Sequence, residues 1–259
     1  MYRLLIIALV CLGLALGCGE TGAVGEADSH PRNLALYDPD APVPELSREE
    51  AIRAVQDVLR IWHQRKAVFR SKFLGVPTAQ SPTDAWIVQE IISEVKPDLI
   101  VETGTYRGGS ALLWATILEQ VNPEGRVLTI DIEDQRTRRA KTLPISRRRV
   151  DFLLGSSTDP AIVDEVHRRA EDRRVLVLLD SLHTAEHVAK ELGAYALLVP
   201  VGSYVIVQDT PLDSYKAVEE FVAANPGWEI DSSRERFGLT NTMKGYLKRV
   251  RSDPRPDRG

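Results

Sequence analysis

Residues 98–131, DLIVETGTYRGGSALLWATILEQVNPEGRVLTID, set the architecture of this chain. The segment opens on a short apolar run, DLIVET, rich in residues that suit a pleated strand. It turns through Gly104, Gly108 and Gly109 and continues as ALLWATILEQV, with apolar residues at helical spacing. Pro123-Glu124-Gly125 then marks a turn into a second apolar run, RVLTID. A strand, a crossover helix and a second strand in so short a span read as a βαβ unit. Strands that are apolar at nearly every position are buried on both faces, which is the signature of a parallel sheet.

The pattern repeats outward. VDFLLG (150–155), VLVLLD (175–180) and SYVIVQD (203–209) are further strand-like runs, with DPAIVDEVHRRAE and AEHVAKELGAYALLV between them as helices. GWEIDSS and KGYLKRV near the end read as an antiparallel pair at the sheet edge. The expected fold is α/β: a Rossmann-like, mostly parallel seven-stranded sheet with an antiparallel edge strand and helices on both faces. Upstream, Ser47 and Glu50 form an S-x-x-E capping box before AIRAVQDVLRIWHQRKAVF, and Asp84 is positioned to cap the helix AWIVQEIISEVK. Residues 46–85 read as a helical lead-in, 86–251 as the main domain, and 252–259 as a disordered tail.

The first 45 residues are of another kind. Arg3 precedes an apolar run from Leu4 to Leu16, too short to span a bilayer and of the length of a signal-peptide core. Ala15-Leu16-Gly17-Cys18 resembles a lipoprotein cleavage site, so residues 1–17 are expected to be a lipoprotein signal peptide and Cys18 the lipidated residue. Residues 18–45, rich in Gly, Pro and acidic side chains, read as a flexible tether. The expected location is the outer face of a bacterial membrane, held by a lipid anchor, or the cytoplasm if the leader stays unprocessed.

Composition narrows the function. The chain has 259 residues, is 43% hydrophobic and 27% charged, and carries a formal net charge of -4. That balance argues against a nucleic-acid partner. The only cysteines are Cys11 and Cys18, so the folded part has neither a disulfide framework nor a thiolate metal site. The Arg-rich runs at 136–141, 147–149 and 167–174 read as solvated faces.

In open α/β sheets, ligands bind beyond the carboxyl ends of the strands. The first such end is Glu102-Thr103-Gly104-Thr105-Tyr106-Arg107-Gly108-Gly109. It lacks the G-x-G-x-x-G of dinucleotide sites, which counts against a nicotinamide oxidoreductase, and the Gly-Lys-Ser/Thr of a P-loop. A carboxylate before a glycine turn suits a ligand with a cationic centre and an amino group, as in S-adenosylmethionine (SAM). Asp131 ends the second strand, where an acid can accept from both ribose hydroxyls. Gly155-Ser156-Ser157-Thr158-Asp159 forms a polar turn that could meet an adenine, or cap the following helix through Ser157 or Asp159.

Asp180 ends the fourth strand, with His183 three residues on, and Gln208-Asp209 ends the fifth. Two carboxylates and an amide oxygen are hard oxygen ligands of the kind Mg²⁺ takes, and His183 is placed to act as general base. The bland alternative is that Asp180 and Asp209 cap the segments that follow them. His183-Thr184-Ala185-Glu186-His187 also matches the zinc motif H-x-x-E-H, but that motif lies within a helix, whereas here it follows a strand.

Several separated blocks then match one family in order: KFLGVPTAQSPTDAWIVQEIISEVKPDLIVETGTYRGGSALLWA, LLDSLHTAEHVAKEL and VPVGSYVIVQDT. Over about residues 68–250 the chain resembles the cephalosporin hydroxylase / rhamnosyl O-methyltransferase family. The resemblance implies a class I SAM-dependent O-methyltransferase acting on a hydroxyl of a sugar, glycolipid or natural-product acceptor. It implies SAM at Glu102, Gly104 and Asp131, Mg²⁺ at Asp180 and Asp209, and His183 as base; the strand-end turns add Thr105, Gly108 and Ser156 as expected SAM contacts and Gln208 as an expected metal ligand. The departure is Gln208, where the family usually has Glu. A homo-oligomer is compatible with this reading. The rival reading is a non-catalytic lipoprotein that keeps the fold as a binding module.

Overall fold

Ser47 caps the first described helix. Its hydroxyl accepts the Glu50 N–H at 3.3 Å, and the Glu50 carboxylate accepts the Ser47 N–H at 2.9 Å, the reciprocal cap that starts α1 (Arg48–Gln64). The computed structural model describes residues 46–252, and the segment from Leu46 onward forms one compact unit. Cys18 and the expected signal peptide, tether and most of the tail lie outside the described residues.

The single helix expected up to Phe69 is broken. Lys66 takes a left-handed backbone conformation (φ 50), and a short α2 (Ala67–Arg70) follows at a new angle. Next comes a small hairpin of β1 (Lys72–Phe73) and β2 (Val76–Pro77), which periodicity could not reveal in two-residue strands. Helix α3 (Pro82–Val95) starts two residues before Asp84, so the expected domain division at 85/86 falls inside it. Asp84 does not cap this helix. It is buried and accepts hydrogen bonds from Asn241 N at 2.8 Å, the Thr240 hydroxyl and Tyr246 Oη, so it fastens α3 to the distal loop.

The main sheet then unfolds in sequence. β3 (Leu99–Thr103), α4 (Gly109–Val121) and β4 (Arg126–Asp131) are the βαβ unit. Two short helices, α5 (Arg138–Thr142) and α6 (Pro144–Arg149), lead to β5 (Val150–Leu154) and α7 (Pro160–Ala170). β6 (Val175–Leu179), α8 (Ala185–Tyr195), β7 (Tyr204–Val207), α9 (Tyr215–Ala224), β8 (Trp228–Ile230) and β9 (Tyr246–Arg249) complete it. α9, which the sequence reading did not anticipate, packs Ala217 and Val218 into the core.

The seven strands lie in the order β5-β4-β3-β6-β7-β9-β8. Five are mutually parallel neighbours, and β9 runs antiparallel to both β7 and β8. The single reversed strand is therefore inserted next to the edge, with β8 outside it. Side-chain alternation along each strand feeds two cores. Ile100, Val127, Leu178 and Ile206 face α3 and α4, while Val101, Leu128, Val177 and Val205 face the α7 and α8 side. The chain leaves β3 toward β4 on one side, and β6 toward β7 on the other. That reversal opens a crevice above the carboxyl ends of β3 and β6, the standard ligand position of such sheets.

Candidate functional site

A cavity of about 1080 Å³ lies over this crevice. Gly104, Asp131, Ser156, Asp180, His183 and Asp209 are all among its walls, so residues from five strand ends meet there as expected. Glu102, Thr105, Gly108 and Gln208 are not walls of it, and the structure shows what they do instead.

Glu102 shares the face of β3 that meets α4 and is buried under the glycine turn. Trp114 Nε1 donates to its Oε1 at 3.0 Å and Thr129 Oγ1 to its Oε2 at 2.6 Å. Thr105 in turn lies 2.6 Å from Thr129 through their hydroxyls. The carboxylate thus holds the turn from beneath, through a chain that ends on the residue after Gly104. Burial raises its pKa to about 7 despite three side-chain donors. The sign of the consequence follows. Because the folded state binds this proton more tightly than the unfolded chain, Glu102 costs stability as pH rises from 4.5 to 7, on the order of 3 kcal/mol in full. Urea unfolding of Glu102→Gln at a series of pH values is expected to show a flatter decline across that window than the unsubstituted protein. Parallel curves would dismiss Glu102 as the source.

Gly104 has φ 86, and a Cβ built there would lie 1.9 Å from the Asp180 carbonyl oxygen. The glycine is required by the close approach of β3 and β6, whatever ligand sits above. Gly108, at φ 84, precedes α4 and packs toward Ala140 of α5. Tyr106 N donates to Asp131 Oδ2 at 2.8 Å and Glu133 N to Oδ1 at 3.3 Å. Asp131 is therefore fixed by backbone, half-buried, and keeps lone pairs for ligand hydroxyls. In the turn after β5, Asp159 caps α7 by accepting from Ala161 N at 2.8 Å, whereas Ser156 remains on the cavity wall.

The other end of the cavity is acidic. Asp180, His183 and Asp209 can each offer a ligand atom, all within 4.8 Å of one another. His183 Nε2 lies 3.3 Å from Asp209 Oδ2. Asp209 adopts φ 51, a left-handed conformation that a non-glycine residue holds only where the surroundings enforce it. Burial pushes the Asp180 carboxyl well above its ordinary range, and the neighbouring Asp209 and Glu102 add to the shift. Asp209 is raised too, mainly by burial, with His183 opposing.

Gln208 is buried and turned away from the cavity. Gln80, in the loop after β2, donates through Nε2 to both Asp180 Oδ2 (2.9 Å) and Gln208 Oε1 (2.8 Å). Gln208 Nε2 has no hydrogen-bond partner among the described residues. Gln80 escaped sequence reasoning because nothing local marks a loop glutamine 100 residues from its partner. The two histidines of H-x-x-E-H separate. His183 precedes α8, which Thr184 caps, while His187 lies within the helix. His187 Nε2 sits 3.1 Å from Ser181 Oγ and 3.2 Å from Ser157 Oγ, with the buried Glu191 behind it. The pair cannot hold one ion in the zinc-motif manner.

A seven-stranded sheet of this order, with an acid at the β4 tip and an acidic cluster at the β6 and β7 tips, is the architecture of class I SAM-dependent methyltransferases. The family model "Rhamnosyl O-methyltransferase/CmcI" matches residues 65–250, and the chain belongs to that family of SAM-dependent O-methyltransferases. Relatives include the rhamnosyl O-methyltransferase of Mycobacterium tuberculosis (strain ATCC 25618 / H37Rv), 32% identical over 76% of this chain and 85% of the relative. The rhamnosyl O-methyltransferase of Mycobacterium leprae (strain TN) is 30% identical over 73% of this chain and 87% of the relative. Among solved structures, the CmcI-N160 apo-structure superposes with a TM-score of 0.58 at 17% identity, covering 71% of this chain and 78% of that one. A structure of CmcI-D160 with Mg and SAM gives 0.56 at 16% identity, covering 88% and 89%. These two likenesses establish the fold.

Proposed function

We propose that this protein transfers the methyl group of SAM to a hydroxyl of a sugar, glycolipid or related natural product, assisted by Mg²⁺ and with His183 as general base. The observation that carries this reading is the convergence of Asp180, His183 and Asp209 within 4.8 Å, on the wall of the cavity that also holds Asp131. Asp131 would accept from the ribose hydroxyls and Ser156 would lie at the adenine end. Gly104 would let the backbone pass close to the methionine end, with Glu102, Thr105 and Gly108 acting beneath as supports of the turn.

The donor set fits a divalent cation. The raised pKa of the part-buried Asp180 records first the desolvation of its carboxyl and then repulsion from Asp209, Glu102 and Glu191, which a cation would relieve. Asp180 and Asp209 would hold the ion. Gln208 could join them only by turning its amide oxygen from Gln80. When bound, Mg²⁺ supplies Lewis-acid lowering of the acceptor hydroxyl pKa. The residues do the rest. His183 takes the hydroxyl proton on an imidazole nitrogen, the acceptor oxygen bonds to the methyl carbon, and the carbon–sulfur bond breaks to leave a neutral thioether. Asp209 orients the His183 ring and stabilises its cationic form. Alignment of oxygen, methyl and sulfur contributes most of the rate.

A rhamnoside acceptor with radiolabelled SAM and Mg²⁺ tests the reading, since the curated relatives bear the name rhamnosyl O-methyltransferase. Transfer that is abolished by EDTA supports it. SAM binding by calorimetry without any transfer to a panel of sugar and glycolipid hydroxyls would favour the binding-module alternative, to which the inward-turned Gln208 gives some support. For the base, His183→Gln is expected to lower kcat by roughly 10²–10⁴-fold while leaving SAM affinity within about twofold. A variant that kept the unsubstituted kcat would assign the proton to another group.

A further inference from the structure

The rim of the cavity carries an uncovered apolar surface. Phe69 (64% exposed), Ile132 (71%), Leu182 (56%) and Leu212 (69%) all border the cavity and are open to solvent. Soluble proteins rarely leave so many large apolar side chains around one opening without a partner for them. Beside Phe69 the chain reads RKAVFRSK (65–72), and no acidic residue occurs between 65 and 83. Arg65, Lys66, Arg70 and Lys72 are all exposed, and none makes a side-chain hydrogen bond or ion pair with a described residue. Arg139 adds a charge at the same place, donating through Nε to the Leu74 carbonyl at the tip of the β1–β2 hairpin. Leu74 is itself exposed.

We propose that this rim is a docking face for an anionic lipid bilayer, with Phe69 and its apolar neighbours entering the headgroup region and the four basic side chains meeting lipid phosphates. Apolar side chains among unpaired cations are what an interfacial surface needs, since area burial and headgroup attraction add. No described helix is long and apolar enough to cross a membrane, so the contact is peripheral. The face surrounds the mouth of the methyl-transfer cavity, so docking would open that cavity toward the bilayer. The inference goes beyond the proposed chemistry and stands without it.

The test uses residues 46–259, the compact unit that holds every described strand and both described cores, so that the N-terminal apolar run cannot itself insert. Co-sedimentation is measured with phosphatidylcholine vesicles, with and without about 30% phosphatidylglycerol. Binding is expected on the anionic vesicles and to be at least about tenfold weaker on the neutral ones. The triple variant Arg65→Gln, Arg70→Gln, Lys72→Gln, none of which borders the cavity, is expected to bind the anionic vesicles roughly 100-fold less, with its affinity for SAM and circular dichroism unchanged. Phe69→Ser is expected to weaken binding by about tenfold or more at constant charge. The proposal is overturned if the unsubstituted protein stays in the supernatant of anionic vesicles, or if the triple variant binds as before. It is equally overturned if Phe69→Ser has no effect and soluble heparin binds as tightly as vesicles, which would make the face a site for an acidic macromolecule.

Discussion

Replacing Asp180 by asparagine is expected to lower methyl transfer by at least about 10³-fold, the scale of losing a charged group that acts directly at the reacting oxygen. Three consequences should arrive together. Binding of Mn²⁺, used as a spectroscopic stand-in for Mg²⁺, should fall below detection by electron paramagnetic resonance. SAM affinity by calorimetry should change by less than about tenfold, because Asp131 and the β3 turn are untouched. Stability at pH 8 should rise. The Asp180 carboxyl is held well above its ordinary range, so its ionised form destabilises the fold at any pH above the unfolded value, and a neutral amide removes that cost. A substitution that stabilises and inactivates at once marks a residue kept for function. If Asp180→Asn retained a tenth of the activity, or bound Mn²⁺ normally, the metal-assisted reading would be lost.

Gly104→Ala should have a comparable effect by another route. The added Cβ would sit 1.9 Å from the Asp180 carbonyl oxygen and 2.6 Å from its carbonyl carbon, both backbone atoms that cannot rotate aside. The residue also holds φ 86, unfavourable for any side chain. Left-handed strain and forced separation of β3 from β6 together should cost roughly 4 kcal/mol, seen as a lowered urea midpoint. Whatever remains folded should bind SAM poorly, since the turn and Asp180 move together. Gly193→Ala supplies the opposite sign. That glycine is inside α8, with nothing within 4 Å of a built Cβ, so the substitution should stabilise by about 0.5–1 kcal/mol. An unchanged midpoint in Gly104→Ala would mean that the two strand ends are free to part.

The positions that structure assigned differently share a cause. Glu102 reads in sequence as a ligand residue because it sits at a strand end, yet strand alternation places it on the face of Ile100, toward Trp114. Asp84 reads as a cap because it precedes an apolar helical pattern, yet Ser81-Pro82 starts the helix earlier and leaves Asp84 to bind the 240–246 region. Gln208 reads as a ligand because it precedes Asp209, yet its side chain is buried and Gln80 takes its amide oxygen. For Asp84 and Gln208 the partner that decided the outcome is more than a hundred residues away in the chain.

The seven strands of the main sheet, the helices α4, α7 and α8 between them and the positions of the carboxyl-end acids were legible in the amino acids, because they follow from local periodicity and from burial of whole apolar runs. So was the company of Asp131, Asp180, His183 and Asp209, since a doubly wound sheet brings its strand tips to one crevice. The closeness of β3 to β6, the bond from Gln80 into the acidic cluster and the basic, apolar rim on α2 and the first hairpin were decided only by tertiary packing. These are contacts between segments tens of residues apart, and no local pattern encodes which side chains such segments bring together.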